Sequence, residues 1–270
     1  MTVLDKLSLN GKIAVVTGAG RGLGRAMALA LADAGCDLVV AARTRAQIEE
    51  TAAEVLAKGR RCLVVETDIT DATSVNAMAD AAMAEYGRID VLVNNAGGAT
   101  AGFGKPLEEI TDEEWRVGID TNLTGTFYCC RAVIPHMLEQ GGGKIINLTS
   151  GFGLRAGANN FMYTSAKAGL INFTRAVAMT YGGRNIQANL IAPGLFPHDN
   201  PAMMEFWRGG KFIPMGRFGQ DEELGPLCVF LASDLSSYMN GDIVAVEGGG
   251  LAGGHAPTGL APVVPLEGEA

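Results

Sequence analysis

The sequence predicts a single α/β domain built on a doubly wound parallel sheet. Three observations carry that reading. Seven short apolar runs rich in β-branched residues recur along the chain, and longer segments of helical period separate them. The third is composition: 270 residues, 48% hydrophobic with 37 glycines, suit one large core with many tight turns.

The runs are IAVVTG (13–18), DLVVAAR (37–43), CLVVETD (62–68), DVLVNNAG (90–97), KIINLTS (144–150), IQANLIAPG (186–194) and DIVAVEGG (242–249). Their nearly continuous apolar character is that of parallel strands covered on both faces. Strict alternation of strand and helix requires right-handed crossovers. In the first helical segment, Leu23, Met27, Ala30, Leu31 and Ala34 share a stripe, and Gly35 ends it. Thr44 with Gln47, and Thr111 with Glu114, have the spacing of capping boxes, and Gly59 closes the helix that follows Thr44. Long helices are expected at 111–139 and 159–181.

Two segments break the rhythm. Residues 195–219 hold three prolines, show no strand pattern and follow a strand's carboxyl end, where a substrate lid belongs. Phe103, Phe152, Leu154, Phe161, Met203, Met204, Phe206 and Trp207 lie near the expected cleft or lid and predict an apolar pocket, with part of the set serving the core. Residues 251–270, rich in Gly, Pro and Ala, form a tail set apart from the domain at 1–250.

Net charge is −8, which excludes a large nucleic-acid footprint. No apolar run approaches the ~20 residues of a membrane span, and the N-terminus lacks a secretory pattern, so a cytoplasmic location is expected. The five cysteines (Cys36, Cys62, Cys129, Cys130 and Cys228) show no metal-ligand spacing and read as small buried hydrophobes in a reducing compartment. His136, His198 and His255 are scattered and no HExxH occurs, so no metal is expected.

The first strand runs into TGAGRGLG, where Gly18, Gly22 and Gly24 open a helix. Such a turn lets a diphosphate approach the free N–H groups and positive dipole end of the helix, so a dinucleotide is expected. An NAD site usually offers a carboxylate at the end of the second strand, whereas this chain has Ala42 followed by Arg43, with Arg21 inside the glycine turn. Two guanidinium groups suit a 2′-phosphate, which favours NADP(H) over NAD(H). Arg43 is alternatively a solvated strand-end residue, or one stacked on adenine. Further on, FMYTSAKAGL sets Tyr163 and Lys167 one helical turn apart on one face.

Taken in order, these motifs resemble those of the short-chain dehydrogenase/reductase family. TGAGRGLG is similar to its TGxxxGxG. Asp68, with Ile69 beside it, resembles its adenine-contacting aspartate, and Asn94-Asn95-Ala96-Gly97 its NNAG strand end. Asn122 falls where the family keeps a structural and relay asparagine. Ser150 precedes Tyr163 by thirteen residues, the family's usual separation, and Tyr163-x-x-x-Lys167 is its signature. Asn189 and Pro193-Gly194 resemble its NxxxPG turn, and the similarity spans about 7–250.

The resemblance implies a Rossmann fold with seven strands in the order 3-2-1-4-5-6-7, a homotetramer packed through the two long helices, and a ketone or secondary-alcohol substrate. It implies Asn122, Ser150, Tyr163 and Lys167 as catalytic. Cofactor contacts fall to Gly18, Arg21, Gly22, Leu23, Gly24, Arg43, Asp68, Ile69, Asn94, Ala96, Gly97, Tyr163, Lys167, Pro193, Gly194 and Phe196. Lys167 would hydrogen-bond the nicotinamide ribose and lower the pKa of Tyr163; Ser150 would hold the carbonyl oxygen; Asn122 would hold a relay water. His198 stands where the family often has a nicotinamide-contacting threonine, and is either a polar group facing the cofactor or a solvated loop residue. A 3-oxoacyl-[acyl-carrier-protein] reductase is the alternative within the family, although the acidic chain is sparse in the basic charge that a carrier protein would meet. A catalytically silent dinucleotide-binding regulator is the alternative outside enzymes.

Overall fold

The structure is a computed structural model that describes residues 2–198, 204–205, 210–211 and 213–252. Met203, Phe206, Trp207, His255 and the tail from 253 onward lie outside the described residues, as does much of the expected lid.

A short helix α1 (Val3–Leu7) precedes the alternation. It runs β1 (Ile13–Thr17), α2 (Gly22–Asp33), β2 (Asp37–Ala42), α3 (Arg45–Ala57), β3 (Cys62–Glu66), α4 (Ala72–Tyr86) and β4 (Val91–Asn94). The second half continues with α5 (Asp112–Ile119), α6 (Gly125–Glu139), β5 (Gly143–Leu148), α7 (Gly151–Leu154), α8 (Phe161–Tyr181), β6 (Ile186–Pro193), α9 (Gly225–Ala232) and β7 (Ile243–Val246). The seven strands are parallel in the order β3-β2-β1-β4-β5-β6-β7. Strand order reverses between β1 and β4, so a crevice opens at their carboxyl ends.

Each face of the sheet has its own core. Val16, Val40, Val93 and Ile191 face α2, α3 and α9 with Met27, Leu31, Ile48 and Cys228. Val15, Leu92, Ile145 and Ala188 face α4, α6 and α8 with Met78, Val133 and Met137. Removing side chains of this size from water contributes about 1.5–3 kcal/mol each. The strands β3 and β7, read as covered, are edges whose residues are only partly buried.

Other local expectations shift. The buried face of α2 is Gly24, Ala26, Met27, Ala28, Leu31 and Ala32, not the narrower stripe through Ala30 and Ala34. The helix lies between the sheet and α9, with Ala30 against Gly225, so its apolar face is wider than one row. Thr44 caps α3 by position only and its side chain makes no cap bond, whereas Thr111 and Glu114 form the full reciprocal box on α5. The expected helix at 111–139 carries a π-turn at Asp120–Thr124 between α5 and α6. The cysteines are unbridged, and Cys62, on the edge strand, is half-buried while the other four are buried. Burial pushes the Cys62, Cys129 and Cys228 thiols up to about 12, so they behave as apolar side chains.

Candidate active site

The glycine turn is shaped by close approach. Gly18 follows β1 with φ +65°, a conformation that glycine adopts without cost. A Cβ on Gly24 would run into the Gly18 carbonyl and the Asn95 side chain, so only glycine lets α2 start this near β1. Arg21, at the N-cap of α2, makes no side-chain cap bond, which leaves the helix N–H groups open to an anion. Arg21 and Arg43 are exposed and have no carboxylate partner among the described residues. These features fit a dinucleotide phosphate.

Around this turn the expected contacts divide. The side chain of Asn94 points inward, donating to Asn147 Oδ1 at 2.8 Å and approaching Cys130 Sγ at 3.4 Å, and the residue is 3% exposed. The side chain is thus used to pin β4 to β5, which leaves the Asn94 backbone for the expected cofactor contact. Asn95 is the working neighbour. It donates to Thr17 O at 3.0 Å and Gly18 O at 3.2 Å, and so holds the end of β1. Alternation along a strand sends two adjacent asparagines to opposite sides, and that signal was present in the sequence.

Asp68 lies half-buried beyond β3, with Oδ1 accepting from Thr70 N (2.9 Å) and Thr70 Oγ1 (2.8 Å), which leaves Oδ2 for a nucleotide. Ile69 packs against Gly125. Pro193 ends β6, and Gly194 N donates to Val246 O at 2.9 Å. Phe196 is a buried core side chain packed on Gly219, so only its backbone is available to a cofactor. His198 is exposed at the mouth of the site. Its ring lies against Gly22 at the mouth of the glycine turn, and its Nδ1 is 2.7 Å from Asp221 Oδ1.

The catalytic candidates converge. Ser150 follows β5, caps α7 by accepting from Phe152 N at 3.2 Å, and is 8% exposed. Tyr163 and Lys167 sit on the first two turns of α8, with the Lys167 ammonium 5.6 Å from the centre of the Tyr163 ring. Lys167 is buried and donates from Nζ to Leu148 O at 2.9 Å. A Cβ on Gly97, at the β4 loop, would stand 3.4 Å from that Nζ, so β4, β5 and α8 meet there.

Asn122 occupies the π-turn, a form that often marks functional sites. Its Oδ1 accepts from Gly98 N at 2.9 Å, and its Nδ2 donates to Gly98 O (2.9 Å) and Gly118 O (3.1 Å). The amide therefore ties the bulge to the loop after β4.

The electrostatics differ from the expectation. Burial pushes the Tyr163 phenol up, and only the neighbouring Ser150 hydroxyl pulls the other way. Burial also brings the Lys167 ammonium down to about 8. Both groups are shifted toward their neutral forms because low-dielectric surroundings disfavour charge. In this state the lysine does not lower the tyrosine.

A doubly wound α/β fold with a glycine turn at its switch point, and a serine, tyrosine and lysine gathered beside it, defines a dinucleotide-dependent oxidoreductase. A family model described as enoyl-(acyl carrier protein) reductase matches residues 18–250. The chain belongs to the short-chain dehydrogenase/reductase family. It is 39% identical over 93% of its length to the 2-dehydro-3-deoxy-D-gluconate 5-dehydrogenase of Escherichia coli (strain K12), covering 99% of that protein. It is 38% identical to a 3-oxoacyl-[acyl-carrier-protein] reductase of Synechocystis, over 90% of this chain and 98% of that one. With the cis-4-hydroxycyclohexanecarboxylate dehydrogenase of Sinomonas cyclohexanicum it shares 39% identity, over 88% and 96% of the two chains. Among solved structures, L-sorbose reductase from Gluconobacter frateurii, complexed with NADPH and L-sorbose, superposes with a TM-score of 0.84 at 29% identity, covering 91% of this chain and 98% of that one. The described helices include none long and apolar enough to cross a membrane, and no three metal-ligating side chains cluster among the described residues.

Proposed function

We propose that this chain interconverts a secondary alcohol and a ketone on a small substrate with an apolar body, using NADP(H) in preference to NAD(H). The observation that carries the reading is the meeting of Ser150, Tyr163 and Lys167 beside the glycine turn. The bound dinucleotide supplies the hydride. In the reductive direction Ser150 donates a hydrogen bond to the carbonyl oxygen, and Tyr163 gives its phenolic proton to that oxygen as charge develops there. Burial keeps Tyr163 protonated beforehand, which suits a proton donor. Lys167 stands close enough to support the phenolate left behind and to return a proton. Asn122 holds the backbone bulge beside it, along which a relaying water would bind.

Arg43 and Arg21, exposed and without carboxylate partners among the described residues, support the choice of NADP(H). So does the NADPH bound in the sorbose reductase. Phe152, edge-on to Tyr163 with ring centres 6.5 Å apart, supplies part of an apolar wall. A cytoplasmic homotetramer belongs to the same reading. The second reading, reduction of a carrier-protein-linked 3-oxoacyl group, is favoured by relatives of that name.

The test is NADPH consumption with a panel of free ketones and an acetoacetyl carrier protein, beside Tyr163→Phe. Turnover of free ketones, lost by about 100-fold or more in Tyr163→Phe while NADPH still binds, is the expected result. Tight NADPH binding without turnover of any ketone would instead indicate a regulator.

A further inference from the structure

We infer that Arg155 is a specificity-determining residue that binds a carboxylate carried by the substrate; this rests on the oxidoreductase reading above. The chain has surplus acid, and many of its arginines use it, although Arg131, Arg175 and Arg184 have no carboxylate partner among the described residues. Arg25 pairs with Glu54, Arg60 and Arg61 with Asp37, Arg88 with Asp90, Arg116 with Glu113 and Arg217 with Glu223. Burial sets one unpaired arginine apart: Arg21, Arg43, Arg131, Arg175 and Arg184 are exposed, whereas Arg155 is half-buried. Arg21 and Arg43, at the nucleotide end, have no carboxylate partner among the described residues. Neither has Arg155, at the substrate end.

Its placement follows from α7. That single turn begins after Ser150 and ends at Arg155, whose N–H donates to Gly151 O at 2.9 Å. Ser150 and Arg155 thus flank the same short turn, one at each end. Phe152, between them, faces Tyr163. The guanidinium is half-buried and fixed at one corner, where Nη2 donates to Leu251 O at 2.8 Å. The Leu251 side chain in turn lies over Gly151. The carboxylate on that same turn, Glu247, is spent on Gly249 N (3.2 Å) and Leu251 N (2.7 Å) and does not pair with Arg155.

A guanidinium has five N–H donors in a planar fork. One is engaged here by a neutral carbonyl, and the rest have no acceptor among the described residues. A half-buried cation in a strongly acidic protein, held in place yet without an anion among the described residues, is arranged for an anion that arrives with the substrate. Fixing one corner through Leu251 limits the entropy lost when the other donors engage.

The experiment compares 4-oxocyclohexanecarboxylate with its methyl ester, which has the same ring and ketone but no charge, using the NADPH-loaded wild type, Arg155→Ala and Arg155→Lys. The wild type is expected to favour the acid in kcat/KM by about 10- to 100-fold. Arg155→Ala should erase that preference through KM for the acid, leave the ester within about twofold, and be partly rescued in Arg155→Lys. No preference in the wild type, or equal losses on both ketones, overturns the inference. If neither ketone is reduced, the oxidoreductase reading fails by itself, and Arg155 is judged by binding. Saturable change of bound-NADPH fluorescence by cyclohexanecarboxylate, weakened in Arg155→Ala, upholds it; no difference between the two proteins overturns it.

Discussion

Lys167 and Tyr163 share a helix face without forming an ion pair: the ammonium stands 5.6 Å from the phenol ring's centre and gives its hydrogen bond to Leu148 O. A buried ammonium with a neutral partner is costly, and the proposed reaction would use that charge once Tyr163 ionises. On that proposal the two groups become coupled only when the phenol ionises, and their separate shifts describe the protein before that.

That cost is measurable as a pH-dependent stability. The folded value of Lys167, about 8, lies below its ordinary 10.5, so between them the unfolded chain binds more protons. The penalty is fully present below about 8 and fades as pH rises toward 10.5. Urea unfolding of the cofactor-free protein at several pH values should show wild type gaining on Lys167→Met across that window. A constant difference between the two would mean that the ammonium pays no burial penalty.

Ser150 offers a sharper handle on the tyrosine. Its hydroxyl favours the phenolate of Tyr163, against the upward push of burial. Removing it should raise the tyrosine further. In alcohol oxidation Tyr163 must first be ionised, so the rise of rate with pH should move to higher pH in Ser150→Ala, in addition to a general loss of rate. A reduced but unshifted profile would limit Ser150 to holding substrate.

Gly24 tests the glycine turn. A methyl group there meets the Gly18 carbonyl and the Asn95 amide, both parts of the framework. Gly24→Ala is expected to destabilise by about 1–3 kcal/mol, as overpacking does, and to weaken NADPH binding by more than ten-fold or so. Gly59→Ala is the control. Nothing surrounds a Cβ there, so its cost is confined to its own positive φ of +74° and NADPH affinity should stay unchanged.

How much of this was legible in the sequence follows from which patterns are local. The strand runs and the box at Thr111 depend on neighbours in the chain, and they appear where expected. The capping box at Thr44 fails because spacing alone does not fix the side chain's rotamer. The wide buried face of α2 depends on α9, some two hundred residues away, and no periodicity reports that. Within the site, Tyr163 and Lys167 are one turn apart and could be paired from sequence. The sense of their pKa shifts could not, because burial is a tertiary property. His198 was visible as an oddity, yet its contacts with Gly22 and Asp221 join three distant segments. Asn94 and Asn95 show the reverse: strand alternation assigned them opposite sides, and the family motif obscured it.

The fold can be tested apart from the chemistry at Asp37, the first residue of β2. It is 5% exposed, and its carboxylate accepts from Arg60 Nη2 (2.8 Å), Arg61 Nε (2.8 Å) and Arg61 N (3.0 Å). Burial alone would raise its pKa, but the backbone bond and the two guanidinium groups outweigh that and hold it below the usual carboxylate range. With a folded value under the unfolded 3.8, the stabilisation is complete above that pH and is lost as pH falls through the folded value. Asp37→Asn keeps the shape and removes the charge. It should cost about 1–3 kcal/mol at pH 7, and the gap to wild type should close in acid. If the gap stayed open at pH 2–3, the donors of Arg60 and Arg61 would be holding Asp37 by geometry and not by charge. NADPH binding should be unchanged in this variant, because β2 reaches the crevice only at its other end, beside Arg43.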